Sequence, residues 1–272
     1  MGGDLLLNLL AAALWVALGA TATRIIIAIR KRRRDAFARF TDIPPGAKRV
    51  HIVYGLIERS QPIESYTLEE GDVAALCVAL SLVQERYGAE ATCPVNAYAA
   101  RPTFASYTNM LLVSGPIWNS LTKYYLDQGP SYFEFAQEVD AAAGRRNDVL
   151  TITSGGTTTI LRTIRSNGIP RECFGLVLSG QFPPLRKGPP QRVTIAAGIS
   201  PLGTFGAVHW LGSLGGRKLE EVGVISVARR PTWRCAVIKV EDKSPKGFRS
   251  YAAELDKPGF LSLHVEAYQE GT

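Results

Sequence analysis

Two segments of this chain have the residue types to hold a ligand. The first is Ser114-Gly-Pro-Ile-Trp-Asn-Ser120, at the end of the expected buried strand Thr108–Ser114. Gly115 lets the backbone approach a ligand closely. A helix starting at Pro116 would turn free N–H groups and a positive dipole end toward an anion. Asn119, in the first turn, would add an amide donor. The second segment is Gly198-Ile-Ser-Pro-Leu-Gly203-Thr204-Phe-Gly206-Ala207, after the apolar run Arg192–Ala197. Its order of strand, glycine loop and helix is that of a phosphate cradle. Thr204 stands where a P-loop has lysine, and no G-x-G-x-x-G occurs, so neither an NTPase nor a dinucleotide site is indicated. Gly203, Thr204 and Gly206 are left to hold one anionic group through backbone amides and a hydroxyl. For the first segment the competing reading is an ordinary strand–turn–helix joint with Asn119 solvated, and for the second it is close helix–strand packing through small residues. A third run, Thr153–Thr159, offers hydroxyls and two glycines, with Ser154, Gly155, Gly156 and Thr157 as weaker ligand candidates or a polar turn.

Catalytic groups are sparse. The histidines are His51, His209 and His264. His209 follows the second glycine segment and is the one weak candidate for a general base. Cys93, before Pro94, is expected in a loop, while Cys77, Cys173 and Cys235 lie in apolar runs and are expected as reduced core residues. There is no G-x-S-x-G elbow, no C-x-x-C and no metal-ligand spacing, so no cofactor or metal is assigned.

The elements that must position these segments follow from the hydrophobic pattern. Arg49–Gly55 reads as a first buried strand. Thr67 and Glu70 have capping-box spacing before a helix to about Tyr87, with Val73, Leu76, Cys77, Leu80 and Val83 at helical spacing and Gly88 as its stop. Ser131–Gln137 and Asp148–Ser154 read as strands, and Thr157–Arg165 as a strand or short helix. Cys173–Ser179 and Arg192–Ala197 follow as strands, and the Gly198 loop runs into a helix to about Leu214. Val222–Arg229, Arg234–Val240 and Phe260–Ala267 close the chain. Near-continuous apolar strands alternating with helices predict an α/β core with a mostly parallel sheet and some antiparallel additions.

The 272 residues carry a formal charge of +7. Residues 1–50 hold nine basic and three acidic side chains, whereas the remaining 222 hold 22 and 21. The body is therefore nearly neutral, and no nucleic-acid surface is expected. Leu5–Thr23 contains no charge, and Ile25–Ile29 extends the run past Arg24. As one helix, Leu5–Ile29 would span ~38 Å, enough for a bilayer core of ~30 Å. Arg30, Lys31, Arg32, Arg33 and Arg34 follow, so the expected topology has the N-terminus outside and the domain cytoplasmic, with the cluster at anionic headgroups. The expected organisation is an anchor with its basic cluster over 1–34, a linker over 35–48 and an α/β domain over 49–272.

The segments SGPIWNS and GISPLGTFGAVHWL resemble segments of uncharacterised bacterial membrane-anchored proteins, in which G-G-P-x-x-N and G-x-x-G-x-G-T-x-x-A follow two strands. Gly115, Pro116, Asn119, Gly203, Thr204 and Ala207 match, while Ser114 and Pro201 each replace a glycine. The resemblance implies a cytosolic Rossmann-like fold and brings no assigned activity. Together these readings predict a single-pass membrane protein whose cytosolic domain binds a small anionic ligand, such as a nucleotide, as a sensor or regulatory module. The alternatives are a membrane-tethered hydrolase or transferase, using His209 or Cys93 beside the same loops, and an interaction module without a ligand.

Overall fold

The computed structural model describes residues 37–55, 57–59, 65–67, 70–129, 131–140, 145–154, 156–167, 169–184, 188–214, 225–227, 233–242 and 263–267. Within residues 1–36 it describes Trp15, Thr21, Thr23 and Arg24. Apart from these four, the expected span Leu5–Ile29 and the cluster Arg30–Arg34 lie outside the described residues. Among the described residues no helix is long and apolar enough to cross a membrane.

The strands are β1 (Val50–Tyr54), β2 (Ile57–Arg59), β3 (Ser65–Thr67), β4 (Thr92–Asn96), β5 (Asn109–Val113), β6 (Phe133–Asp140), β7 (Arg145–Ser154), β8 (Thr157–Arg162), β9 (Ile164–Ser166), β10 (Ile169–Phe182), β11 (Gln191–Gly198), β12 (Ile225–Val227), β13 (Trp233–Asp242) and β14 (Leu263–Ala267). The helices are α1 (Glu70–Tyr87), α2 (Ala97–Ala100), α3 (Ser120–Gln128) and α4 (Pro201–Ser213). The main sheet runs β12-β13-β10-β11-β5-β1-β4, with β14 also on β13 and β9 on β10. A separate antiparallel sheet, β6-β7-β8, packs Leu150 and Leu161 into the same core.

This sheet corrects the expected Rossmann-like, mostly parallel architecture. The pairs β1–β4, β1–β5 and β5–β11 are parallel. From β10 outward every described pairing is antiparallel. The reason lies in the connections. Only eight residues separate Phe182 from Gln191, whereas a parallel pair would need a full crossover. The near-continuous apolar run Cys173–Ser179 suggested a parallel strand, and it is buried throughout. Here both faces of an antiparallel strand are covered instead.

Several elements fall where the periodicity places them. Helix α1 ends at Tyr87, and Gly88 stops it with φ +92° while its N–H bonds to Gln84 O at 2.9 Å. The buried face of α1 differs from the expected one. Asp72, Ala75, Ala79, Leu82 and Val83 are buried, whereas Val73 and Cys77 are exposed. The helix is apolar on nearly all sides, and the face of small side chains allows α4 to approach, with Leu82 3.8 Å from the position a Cβ would take on Gly212. Cys77 is therefore not a core residue, while Cys173 and Cys235 are. Cys93 and Pro94 lie in strand β4, not in a loop. As β4 is an edge strand, Pro94 removes no ladder bond that the sheet needs.

The helices cover opposite faces of the sheet. A Cβ on Gly175 of β10 would stand 2.5 Å from Gly203 O of α4. Side chains alternate along a strand, so Leu178 and Phe182 point to the other face. There Leu178 lies beside Gly129 at the end of α3, and Phe182 packs edge-on to Tyr125 at 4.6 Å. Helix α1 lies on the α4 face. The chain thus leaves β5 toward one face, and leaves its neighbours β1 and β11 toward the other.

The stretch read as a linker is part of the core from Phe37 onward. Residues 37–41 are helical, and Phe37, Phe40, Thr41 and Ile43 are buried. Phe40 packs edge-on to Trp210 at 5.4 Å, and Tyr87 Oη donates to Ile43 O at 3.2 Å. Arg234 Nη1 donates to Phe40 O at 3.3 Å, and Gln181 Nε2 donates to Asp42 Oδ2. These partners lie at the ends of α1, α4 and β10 and at the start of β13. All of them belong to the pole from which the parallel strands start.

Candidate functional site

In an open α/β sheet, ligands bind outside the carboxyl ends of parallel strands, at the point where successive connections leave to opposite faces. Here that point is the end of β5, flanked by β1 and β11. The three strands continue into Gly55, Ser114-Gly115 and Ile199-Ser200, and the backbones come close together. Gly55 N donates to Val113 O at 3.3 Å, and Ser114 N donates to Ala196 O at 3.2 Å. A Cβ on Gly115 would stand 3.0 Å from Gly198 O, and one on Gly55 would stand 2.6 Å from Trp118 O. The two glycine segments singled out in the sequence are therefore neighbours.

Their candidate side chains are committed to the fold. Asn119 has no exposed surface. Its Nδ2 donates to Val53 O and Val113 O, both at 3.1 Å, and its Oδ1 accepts from Leu121 N and Thr122 N, both at 3.1 Å. Two donors and two acceptor sites are all the amide has. Asn119 caps α3 and ties it to β1 and β5, so the helix starts at Ser120 and not at Pro116. Gly115 O accepts from Asn119 N at 2.9 Å and closes the joint.

The second segment is also structural. Ser200 caps α4 by accepting from Gly203 N at 3.4 Å, and Pro201 occupies the first turn. Thr204 is buried, with its hydroxyl donating to Ser200 O at 3.4 Å. A Cβ on Gly203 would overlap Phe174 O, one on Gly206 would overlap Val240, and one on Gly198 would overlap Thr204 N. These glycines bring α4 onto β10, β11 and β13. The third segment joins two antiparallel strands: Ser154 of β7 pairs with Thr157 of β8, and Gly156 has φ +86°. It belongs to the small sheet and not to the end of β5.

His209 is exposed on α4, stacked on Phe205 at 6.1 Å. It lies eight residues past Pro201, ~12 Å along the helix, so it is removed from the strand ends. Partial desolvation lowers its pKa below 6.5. Burial of the Cys173 thiol, which accepts from Ser200 Oγ at 3.2 Å, pushes its pKa up to about 12 and leaves it inert as a nucleophile. Among the described residues no group of three or more His, Cys, Asp or Glu is placed to hold a metal ion.

What the strand ends do present is a pair, Ser114 and Asp72, of which only Ser114 fell in a segment singled out in the sequence. Ser114 has φ +95°, a region that a side chain other than glycine's rarely adopts. The serine is buried, its hydroxyl donates to Asp72 Oδ2 at 3.4 Å, and its carbonyl accepts from Thr122 Oγ1 at 3.2 Å. Asp72 lies in the first turn of α1 and is itself 5% exposed. Around this pair the same pole leaves apolar groups exposed: Val73 on α1, Tyr98 on α2, and Ile117 and Trp118 in the joint after β5. Arg101 is exposed beside them and donates to Ser120 Oγ at 3.0 Å. Ser114 fell within the first segment, but nothing local marks its left-handed backbone. Asp72 has no local signal, because its partner is 42 residues away.

Comparison with protein-family models, with curated proteins and with solved structures finds no match to this chain.

Proposed function

We propose that this chain is a single-pass membrane protein whose domain binds a small ligand over the carboxyl ends of β1, β5 and β11, as a sensor or regulatory module. The observation that carries the ligand reading is Ser114, held at φ +95° with its hydroxyl on the buried Asp72 carboxylate, at the point where β5 and its neighbours diverge. Strain of this kind persists where the surroundings over-determine it and clusters at ligand sites. The side chains at this pole define the ligand chemistry. Over the buried Ser114–Asp72 pair, which shapes the strand end, the exposed Trp118 and Tyr98 suit a flat apolar ring, and Arg101 beside the start of α3 suits a phosphate. A nucleotide has both parts. The anchor reading rests on the uncharged run Leu5–Thr23 and on Arg30–Arg34 after it.

Thermal-shift measurement on the detergent-solubilised full chain, against nucleosides, nucleotides and phosphosugars, tests the ligand reading. A nucleotide at a hundred times its Kd is expected to stabilise the domain by about 2.7 kcal/mol. Trp118→Ala and Asp72→Asn should abolish that shift, and no shift with any member of the panel overturns the reading. The strain at Ser114 also favours a second reading, a membrane-tethered hydrolase or transferase. Turnover that is lost in Ser114→Ala while ligand binding is kept would select it.

A further inference from the structure

The two poles of the sheet have different surroundings, and the chain's own connectivity says which pole meets the membrane. Phe37 is buried, and only Asp35 and Ala36 separate it from Arg34. Three peptide steps reach at most ~10 Å. The pole that Phe37, Phe40 and Ile43 grip is therefore held within that distance of the basic cluster.

The grip is on structured elements. Phe37 meets Tyr87 edge-on at 6.3 Å, Phe40 meets Trp210, and Asp42 and Ile43 bond to β10 and α1. Exposed Arg39, Lys48 and Arg49 surround this attachment. Exposed Glu85 and Glu90 stand at the same pole, at the end of α1 and after it. The Asp72–Ser114 pair lies at the far ends of the strands, ~16 Å away along β1.

From this we infer that the neck is a rigid mount and not a tether. It seats the amino pole, through Arg39, Lys48 and Arg49, on an anionic lipid surface, and it turns the strand-end site away from the bilayer. The inference rests on the anchor reading of the N-terminus. It adds an orientation and a surface that the anchor alone does not require, since a flexible linker would allow any face to approach the lipid.

The test uses the full chain in nanodiscs of phosphatidylcholine, with and without phosphatidylserine, containing lipid with a headgroup nitroxide. A fluorophore is attached at Lys48→Cys or Tyr98→Cys in a Cys77→Ser, Cys93→Ser background. Quenching is expected to be several-fold greater at position 48 than at position 98 when phosphatidylserine is present. Lys48→Asp with Arg49→Asp, with the probe moved to Arg39→Cys, should reduce the quenching that phosphatidylserine adds. Equal quenching at both poles, or the reverse order, overturns the inference while the anchor stands. Release of the chain from cell membranes by alkaline carbonate overturns the anchor reading and this inference with it.

Discussion

The guanidinium carbon of Arg86 lies 4.4 Å from the ring centroid of Phe37. The same side chain donates from Nη2 to Gly212 O at 3.5 Å. One residue at the end of α1 thus joins the end of α4 to a segment whose Pro-Pro-Gly and charges read as a linker. The cation–π contact contributes about 1 kcal/mol, and burial of the aromatic rings contributes more.

Removing the Phe40 ring should therefore destabilise the domain and not merely loosen its attachment. Phe40→Ala is expected to cost 3–5 kcal/mol, roughly the usual loss for a buried phenylalanine. A chain that begins at residue 47 should melt well below one that begins at residue 35. Urea denaturation followed by tryptophan fluorescence measures both, and equal midpoints for the two chains would show that residues 37–43 are dispensable.

At Ser114 the stability and the function of one residue should separate. Glycine at that position relieves a backbone strain of about 1 kcal/mol or more, while alanine keeps the strain and loses the bond to Asp72. The melting temperature is expected to be higher for Ser114→Gly than for Ser114→Ala. Both substitutions should weaken nucleotide binding. An alanine variant as stable as the glycine variant would remove the strain argument.

Asn119 acts on folding and not on the ligand. Asn119→Ala removes the cap of α3 and leaves Val53 O and Val113 O without the amide donor, at a cost of about 2–4 kcal/mol. Titration calorimetry on the folded fraction should give an unchanged Kd for the nucleotide. A folded, stable variant that no longer binds would place Asn119 at the ligand instead.

The glycines of α4 should differ in their tolerance of alanine. At Gly206 the new methyl meets the side chain of Val240, whose freedom is limited to χ1, whereas at Gly203 it meets the fixed backbone carbonyl of Phe174. Overpacking costs about 1–3 kcal/mol where side chains can adjust, and the helix propensity gained by replacing glycine offsets about 1 kcal/mol of that. Gly203→Ala is therefore the more damaging variant, as urea midpoints would show. The reverse order would mean that α4 does not sit this close to β10.

Stability should also fall on mild acidification. His51 lies in β1 with its ring stacked on Tyr107 at 3.7 Å. Burial lowers its pKa below 6.5, a backbone hydrogen bond with Asn109 opposes this in part, and the Arg49 charge lowers it further. Between the folded-state pKa and 6.5 the unfolded chain binds more protons than the folded one, so stability rises with pH there. The contribution is fully present at neutral pH and is lost as pH falls from 6.5 through the folded-state value. His51→Gln should flatten the dependence of the urea midpoint over that interval. An unchanged slope would assign it to other groups, of which His209 has a shift of the same sign.

Local chemistry made much of the element list legible. Buried strands such as β5 and β11 appear as apolar runs between turn residues, and the end of α1 is marked by Gly88, whose φ of +92° suits glycine. Edge strand β4 was hidden by Pro94, which an edge tolerates and a central strand does not.

Local pattern and composition set where most strands and helices lie, that residues 51–272 are nearly neutral, and that two glycine segments follow strands. What those segments do depends on how the chain packs. An apolar run buried on both faces is the same for a parallel and an antiparallel strand, so the direction of β10 depended on its connections. An amide at position 119 can serve a ligand or the backbone, and it serves the backbone because β1 and β5 bring two carbonyls to it. Asp72 becomes the partner of Ser114 only when α1 packs across the end of β5. Each of these outcomes is set by contacts between residues distant in the chain, which local pattern and composition do not encode.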